Sequence, residues 1–158
     1  LLWYAKTAQK PSFSVNAAEH KYLGHTFYYP GNVTWEQVTV TLVDPVDPDV
    51  TATFADIMVA SGYTPPTDAN SLGTISKAKA TGALGTVLIT QLDGDGNPVE
   101  SWTLWNAFMT SLKQDDLDYT SDELSTTTVE LRFDWARVET LNNSSAVNGS
   151  GGNEFFKA

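Results

Sequence analysis

The chain has 158 residues, enough to bury one sizeable core without covalent staples. It contains no cysteine, which excludes disulfides, thiolate metal sites and cysteine nucleophiles and is compatible with folding in a reducing compartment. A formal net charge of −10 argues against wrapping nucleic acid, which needs clustered Lys and Arg, and no apolar run is long enough to span a bilayer as a helix.

The chain opens at Leu1-Leu2-Trp3-Tyr4, already strand-like and with no initiator methionine, so further strands are expected before it. Leu1 to Ala8 reads as a strand end. Gln9 to Lys21, polar and interrupted by Pro11, reads as a long loop whose Phe13 and Val15 either tuck back or pack on a neighbour. Tyr22 to Tyr29 is aromatic and β-branched enough for a strand ending at the turn signal Pro30-Gly31-Asn32. Thr34 to Val43 follows as a strand, with Val38, Val40 and Leu42 facing one way, and the two form a hairpin-like pair.

Asp44-Pro45-Val46-Asp47-Pro48-Asp49 cannot continue a ladder, because proline donates no amide hydrogen. A short helix is predicted from about Thr51 to Ser61. Asp49 or Thr51 can cap its start, Phe54, Ile57 and Met58 make its apolar stripe, Gly62 suits its end, and Pro65-Pro66 stops it. Thr64 to Ala83, poor in large apolar residues, reads as a mobile connection with room for a short strand over Thr74 to Ala80.

The strongest signal follows. Val87 to Leu92 alternates with period two, Asp93-Gly94-Asp95-Gly96-Asn97-Pro98 supplies turn residues, and Val99 to Trp105 returns with Trp102 and Leu104 on one face, which together predict a β-hairpin. After an acidic connection, Thr126 to Trp135 reads as one long closing strand. Thr127, Val129, Leu131, Phe133 and Trp135 form its apolar row, and Thr126, Thr128, Glu130, Arg132 and Asp134 its polar row. Beyond Glu139, Asn142 to Asn153 is Asn, Ser and Gly with little to bury, a flexible tail with Phe155-Phe156 as a docking point. The class is mainly β and antiparallel with one short flanking α-helix, a β domain over residues 1–139 and a tail over 140–158.

Catalytic patterns are weak. His20 and His25 are the only histidines, and their spacing places them on one face of neither a helix nor a regular strand. Asp93, Asp95 and Asn97 imitate a calcium loop, but Pro98 stands where glycine is required and Leu104 where a bidentate glutamate is required. Glu100, Asp115, Asp116, Asp118, Asp122 and Glu123 could in principle pair as glycosidase carboxylates, yet most lie in one solvated connection. Asn32-Val33-Thr34, Asn143-Ser144-Ser145 and Asn148-Gly149-Ser150 fit a glycosylation pattern that no secretory signal supports. No enzyme activity, metal or cofactor is expected.

One ordered series carries a resemblance. Lys6-Thr7-Ala8, a long loop, Tyr22-Leu23-Gly24, Trp35-Glu36-Gln37-Val38-Thr39-Val40-Thr41-Leu42, the short helix, the Gly85 hairpin with Leu104-Trp105, Leu117-Asp118-Tyr119 and Val129-Glu130-Leu131-Arg132-Phe133-Asp134-Trp135 resemble the tail-tube proteins of contractile-tailed bacteriophages, over roughly Leu1 to Glu139. The series is also similar to the inner-tube proteins of type VI secretion and contractile bacteriocins.

The resemblance implies an antiparallel β-sandwich or partial barrel whose copies form a hexameric ring with a continuous inner β-barrel. Such rings stack into a tube inside the sheath, a virion structure assembled in the bacterial host cytoplasm. The implied partners are further copies of the chain, the sheath, baseplate and tail-terminator proteins. Tape-measure protein and genomic DNA would pass through the lumen without specific binding, and no membrane is involved. On this footing Phe13 and Val15 are candidate inter-ring contacts, Thr90, Ser101, Thr103, Thr128, Glu130 and Asp134 candidate lumen-facing residues, and Phe54, Ile57 and Met58 the packing face of an outer helix. A tube-initiator or baseplate tube protein of the same fold is the alternative. An extracellular carbohydrate-binding sandwich, stacking sugars on Trp3, Trp35, Trp102, Trp105 or Trp135, is the competing reading from another class.

Overall fold

In a computed structural model, residues 4–67, 70, 73–120, 122–140 and 154–156 are described. Among these residues, ten strands and two helices run in the order β1 (Ala5–Ala8), β2 (Phe13–Tyr22), β3 (His25–Trp35), β4 (Val38–Val43), α1 (Val50–Ala60), α2 (Lys77–Leu84), β5 (Val87–Leu92), β6 (Pro98–Trp105), β7 (Phe108–Gln114), β8 (Thr126–Arg132), β9 (Trp135–Thr140) and β10 (Glu154–Phe155). They make two open four-stranded sheets, ordered β1-β4-β8-β7 and β10-β9-β6-β5, and a separate ribbon of β2 and β3. Every paired strand is antiparallel. Neither four-stranded sheet closes on itself among the described residues.

One core joins the two sheets. Val38, Leu42, Val129 and Leu131 come from the first sheet, Leu104 and Ala136 from the second, and Val50 and Phe54 from α1. Inward residues alternate with outward ones along each strand, so the hydrophobic rows legible in sequence are the facing halves of a sandwich.

The predicted β5–β6 hairpin is present, with Val87 opposite Leu104 and Ile89 opposite Trp102. Its turn is organised by Asp93, whose Oδ1 accepts from the amides of Asp95 at 2.9 Å and Asn97 at 2.8 Å, with Gly96 at φ +83°. The backbone bond from Asn97 holds the Asp93 carboxyl below its ordinary pKa. These carboxylate contacts hold the turn.

α1 begins where expected. Asp49 Oδ1 accepts from the Ala52 amide at 2.9 Å as an N-cap, and Gly62 at φ +99° follows the end, the left-handed conformation that glycine adopts without strain. Phe54 is buried, and Ile57 and Met58 are half-buried.

Several expectations are corrected. Gln9 to Lys21 is not a loop: Phe13–Tyr22 is a full strand paired with His25–Trp35. Its residues are exposed throughout, so no buried face imposes the alternation by which a strand is recognised. The tight turn is at Leu23-Gly24, φ +47° and +74°, rather than at Pro30-Gly31-Asn32, which lies inside β3 opposite a bulge between Val15 and Ala17. Glycine is required at residue 31 by close approach, because an added Cβ would lie 2.8 Å from the Asn16 carbonyl oxygen. Thr34 to Val43 therefore divides between two strands, and β4 pairs with β1 and β8 rather than with its predecessor.

Thr64 to Ala83 carries a second helix in place of the short strand, α2, started by Ser76, whose Oγ accepts from the Lys79 amide. Its Ala- and Gly-rich sequence buries mainly Ala80, which left no apolar stripe to read. Thr126 to Trp135 is also two strands. The ladder breaks at Phe133-Asp134, where the Asp134 amide donates to the Trp105 carbonyl, and the chain passes from the first sheet to the second. Burial changes parity across the break, from Thr127, Val129, Leu131 and Phe133 to Ala136 and Val138. Asn142 to Asn153 lies outside the described residues; at its far end Glu154–Phe155 pairs with β9.

Candidate functional site

With no titratable constellation to build from, the informative surfaces are the two outer sheet faces, the ribbon and the helical flank. On the outer face of the first sheet, Thr41 stands opposite Thr128 and Thr39 opposite Glu130, with Ser111 and Lys113 completing rows across β7. Glu130 lies 4.0 Å from Lys113 Nζ and accepts from Gln37 Nε2 at 3.3 Å, while Thr110 Oγ1 donates to the Glu130 carbonyl at 3.1 Å. Lys113 and Gln37, rather than Arg132, are thus its partners within the chain. The middle of the face is polar, with Val43 opposite Thr126 and Phe108 opposite Arg132 adding one apolar residue toward each end of β8.

The outer face of the second sheet is mixed. Thr90 and Ser101 are cross-strand partners with hydroxyls 3.2 Å apart, and Thr103 stands opposite Arg137, but Leu88 and Trp105 are exposed among them. Trp105 and Trp135 stack at 5.9 Å with an interplanar angle of 11° at the end of this sheet.

The six candidate lumen-facing residues therefore divide between opposite outer faces of one sandwich. Thr128 and Glu130 share one face, Thr90, Ser101 and Thr103 share the other, and Asp134 sits at the break between sheets. There Asp134 is bound by Lys77 Nζ at 2.7 and 2.8 Å and by Asn106 Nδ2 at 2.9 Å. The Lys77 hydrogen bond, then that from Asn106, holds its carboxyl below the ordinary range. Its role is to tie α2 to the sheet crossover.

Phe13 and Val15 lie at the base of the ribbon, each about half exposed. Phe13 is not free: its ring meets Trp35 at 5.2 Å and Phe156 at 5.8 Å, and Trp35 continues the cluster to Phe133 at 5.9 Å. Beyond this anchor the ribbon exposes Tyr22, Leu23, Phe27, Tyr28, Tyr29 and Val33, more apolar surface than a solvated appendage needs. The sequence reading put Tyr22 to Tyr29 in a strand but missed their exposure, because it took the partner strand for a loop and ended the strand at Pro30.

Three of the carboxylates singled out in sequence have local partners. Glu100 accepts from Trp102 Nε1 and pairs with Lys10 Nζ at 3.1 Å, and these two partners lower its pKa in that order. Asp115 holds the hydroxyl and amide of Thr126, and Asp118 folds onto the amide and hydroxyl of Thr120, which lowers its pKa. Asp115 and Asp118 are thus used by a strand end and a turn, and Glu100 by two side chains. No group of three metal-ligating side chains occurs among the described residues, and His20 and His25 stand on the exposed ribbon, where His25 packs edge-on against Phe27 at 4.8 Å. Trp35 and Trp102 pack against the core, which removes them as sugar-stacking platforms.

No curated protein matches the chain by sequence. Among solved structures it is similar to a chain of the 6-fold symmetrised baseplate of the anti-feeding prophage, with a TM-score of 0.61, 18% identity, and coverage of 84% of this chain and 78% of that one. It is also similar to a chain of the sheath–tube complex of an extracellular contractile injection system in its extended state, with values of 0.59, 20%, 87% and 81%. For the tube-terminating cap of the anti-feeding prophage they are 0.58, 23%, 86% and 80%. At these identities the likeness establishes the fold. Residues 15–137 match the family described as T4-like virus tail tube protein gp19, a span that takes in β3 to β8, both helices and parts of β2 and β9, and the chain belongs to that family.

Proposed function

We propose that this chain is the repeating structural subunit of the inner tube of a contractile tail or injection particle, its copies forming six-membered rings that stack into a conduit. The family match across residues 15–137 carries the reading. The surfaces support it: a sheet face whose middle is threonine, serine, glutamate and lysine suits a water-filled bore, and a mixed face with exposed leucine and tryptophan suits contact between copies. The face bearing Thr39, Thr41, Thr128 and Glu130 is accordingly assigned to the bore. The net charge of −10 suits a conduit for a polyanion, since a basic lumen would hold what it must release.

In this reading the ribbon reaches from one ring to the next, and the flank carrying α1 faces the sheath. The subunit has no catalytic role. Sheath, baseplate and terminator proteins are its other partners, tape-measure protein and DNA pass through without specific binding, and assembly takes place in the bacterial cytoplasm before the particle is complete. The purified chain should give rings or tubes in negative stain and a mass several times that of the monomer; a stable monomer at all concentrations would overturn the proposal. The likeness to a baseplate chain favours one second reading, a tube initiator. A bulk subunit should polymerise into long tubes, whereas an initiator should stop at single rings.

A further inference from the structure

The end of the chain does something the sandwich does not require. Glu154 and Phe155 pair with Glu139 and Val138 on the outer edge of β9. Phe156 then leaves the ladder at φ +61° and places its ring 5.8 Å from Phe13 and 5.4 Å from Trp35. Arg137 joins the arrangement, contacting Glu139 at 3.2 Å and also Glu154. Three residues thus bridge a sheet edge and the base of the ribbon.

Three properties of this contact point the same way. β10 pairs with only part of β9, leaving the edge along Trp135–Arg137 without a ladder partner among the described residues. The contact is small and exposed, and Phe156 holds a left-handed backbone that a residue with a Cβ adopts at a cost. Finally, Thr140 and Glu154 are joined through residues 141–153, rich in Asn, Ser and Gly, although neighbouring antiparallel strands need only two to five connecting residues. A connection several times longer than the closure demands lets the same strand reach the same edge of another copy.

We propose that Glu154–Phe156 is an exchangeable strand: in the isolated subunit it covers its own β9 edge, and in the assembly it covers the β9 edge and the Phe13–Trp35 niche of an adjacent copy. The contacts are identical in both states, so the choice is set by effective concentration. A neighbouring copy held alongside competes with the tethered strand without any new interaction. Each subunit then gives a strand and receives one, a heterologous exchange that closes around a ring. The idea rests on the tube reading for its setting and adds a covalent-chain link between copies to it.

The absence of cysteine makes the test direct. Glu139 and Glu154 stand opposite one another on the same strand pair, within reach of a disulfide. The full chain carrying Glu139→Cys and Glu154→Cys is oxidised when dilute and again after assembly, then run under denaturing conditions. Dilute protein should give internally closed monomer, and assembled protein a ladder of covalent multimers; internally closed monomer alone in the assembled sample would overturn the proposal. A second variant, with residues 143–151 deleted, should stay folded and assemble at least tenfold less than the full chain, because its strand is confined to its own edge. Assembly of that variant at the full-chain level would also overturn exchange. The crosslink reads any pair formed at high protein concentration, so it decides exchange even if no ring forms, and missing rings would count against the tube reading alone.

Discussion

Asp134 shows how one side chain can be read wrongly from parity and explained by its partners. Counting along Thr126 to Trp135 puts it in the polar row with Glu130, yet the strand has already broken, and its carboxylate receives Lys77 and Asn106 where the chain crosses between sheets. A carboxylate whose folded pKa is depressed stabilises the fold above its unfolded value, near 4, and loses that contribution as pH falls through the folded value. Asp134→Asn should therefore flatten the fall in unfolding midpoint below about pH 4, leaving the residual slope to the other carboxyls lowered in the fold, Glu100, Asp93 and Asp118. An unchanged slope in thermal melts would exclude the Lys77 contact as the cause. Gly62 offers a second residue-scale test. Its φ is +99° and an added Cβ would lie 3.0 Å from the Thr74 carbonyl, so Gly62→Ala should cost about 1–2 kcal/mol in denaturant unfolding.

Among the elements, legibility followed burial. The β5–β6 hairpin and α1 could be read because each has one face in the core, and burial writes its period into the sequence. Only part of the ribbon could be read, as the strand over Tyr22 to Tyr29; with both faces exposed only Gly24 marks its turn, and the stronger signal at Pro30-Gly31 belongs to a bulge. α2 was hidden because small residues pack it. Thr90, Ser101, Thr103, Thr128 and Glu130 lie on outer faces, but alternation says only that a side chain faces away from the core; it does not say on which sheet. For α1 the packing order makes a prediction. Phe54→Ala, deleting a buried ring, should cost about 3–5 kcal/mol, and Asp56→Ala on the exposed side should stay within about 0.5 kcal/mol. Met58→Asp should fall between them, because Met58 is half-buried and the new carboxylate can reach water. Equal shifts in chemical unfolding for Phe54 and Asp56 would mean that the helix packs by another face.

At the scale of the whole molecule, the proposed tube raises the question of which surface would meet a passing polyanion, and Glu130 can answer it. Its partners, Lys113 and Gln37, lie within the same chain, and a half-exposed pair of this kind is worth no more than about 1 kcal/mol. Glu130→Lys should therefore fold with nearly the parent midpoint and still assemble, because no contact between copies depends on this carboxylate in the proposed arrangement. What changes is the field: symmetry repeats each substitution around the ring, so one exchange of sign becomes a closed band of positive charge, with neighbouring charges interacting across the bore at low ionic strength. Assembled tubes of the variant should then retain labelled single-stranded DNA at low salt and release it as salt rises, while parent tubes release it throughout. Folded subunits that fail to form rings would move Glu130 from the bore to a contact between copies. Tubes that form and release DNA as the parent does would exclude the first sheet's outer face from the lumen, and the same substitution at Thr103 would then test the second.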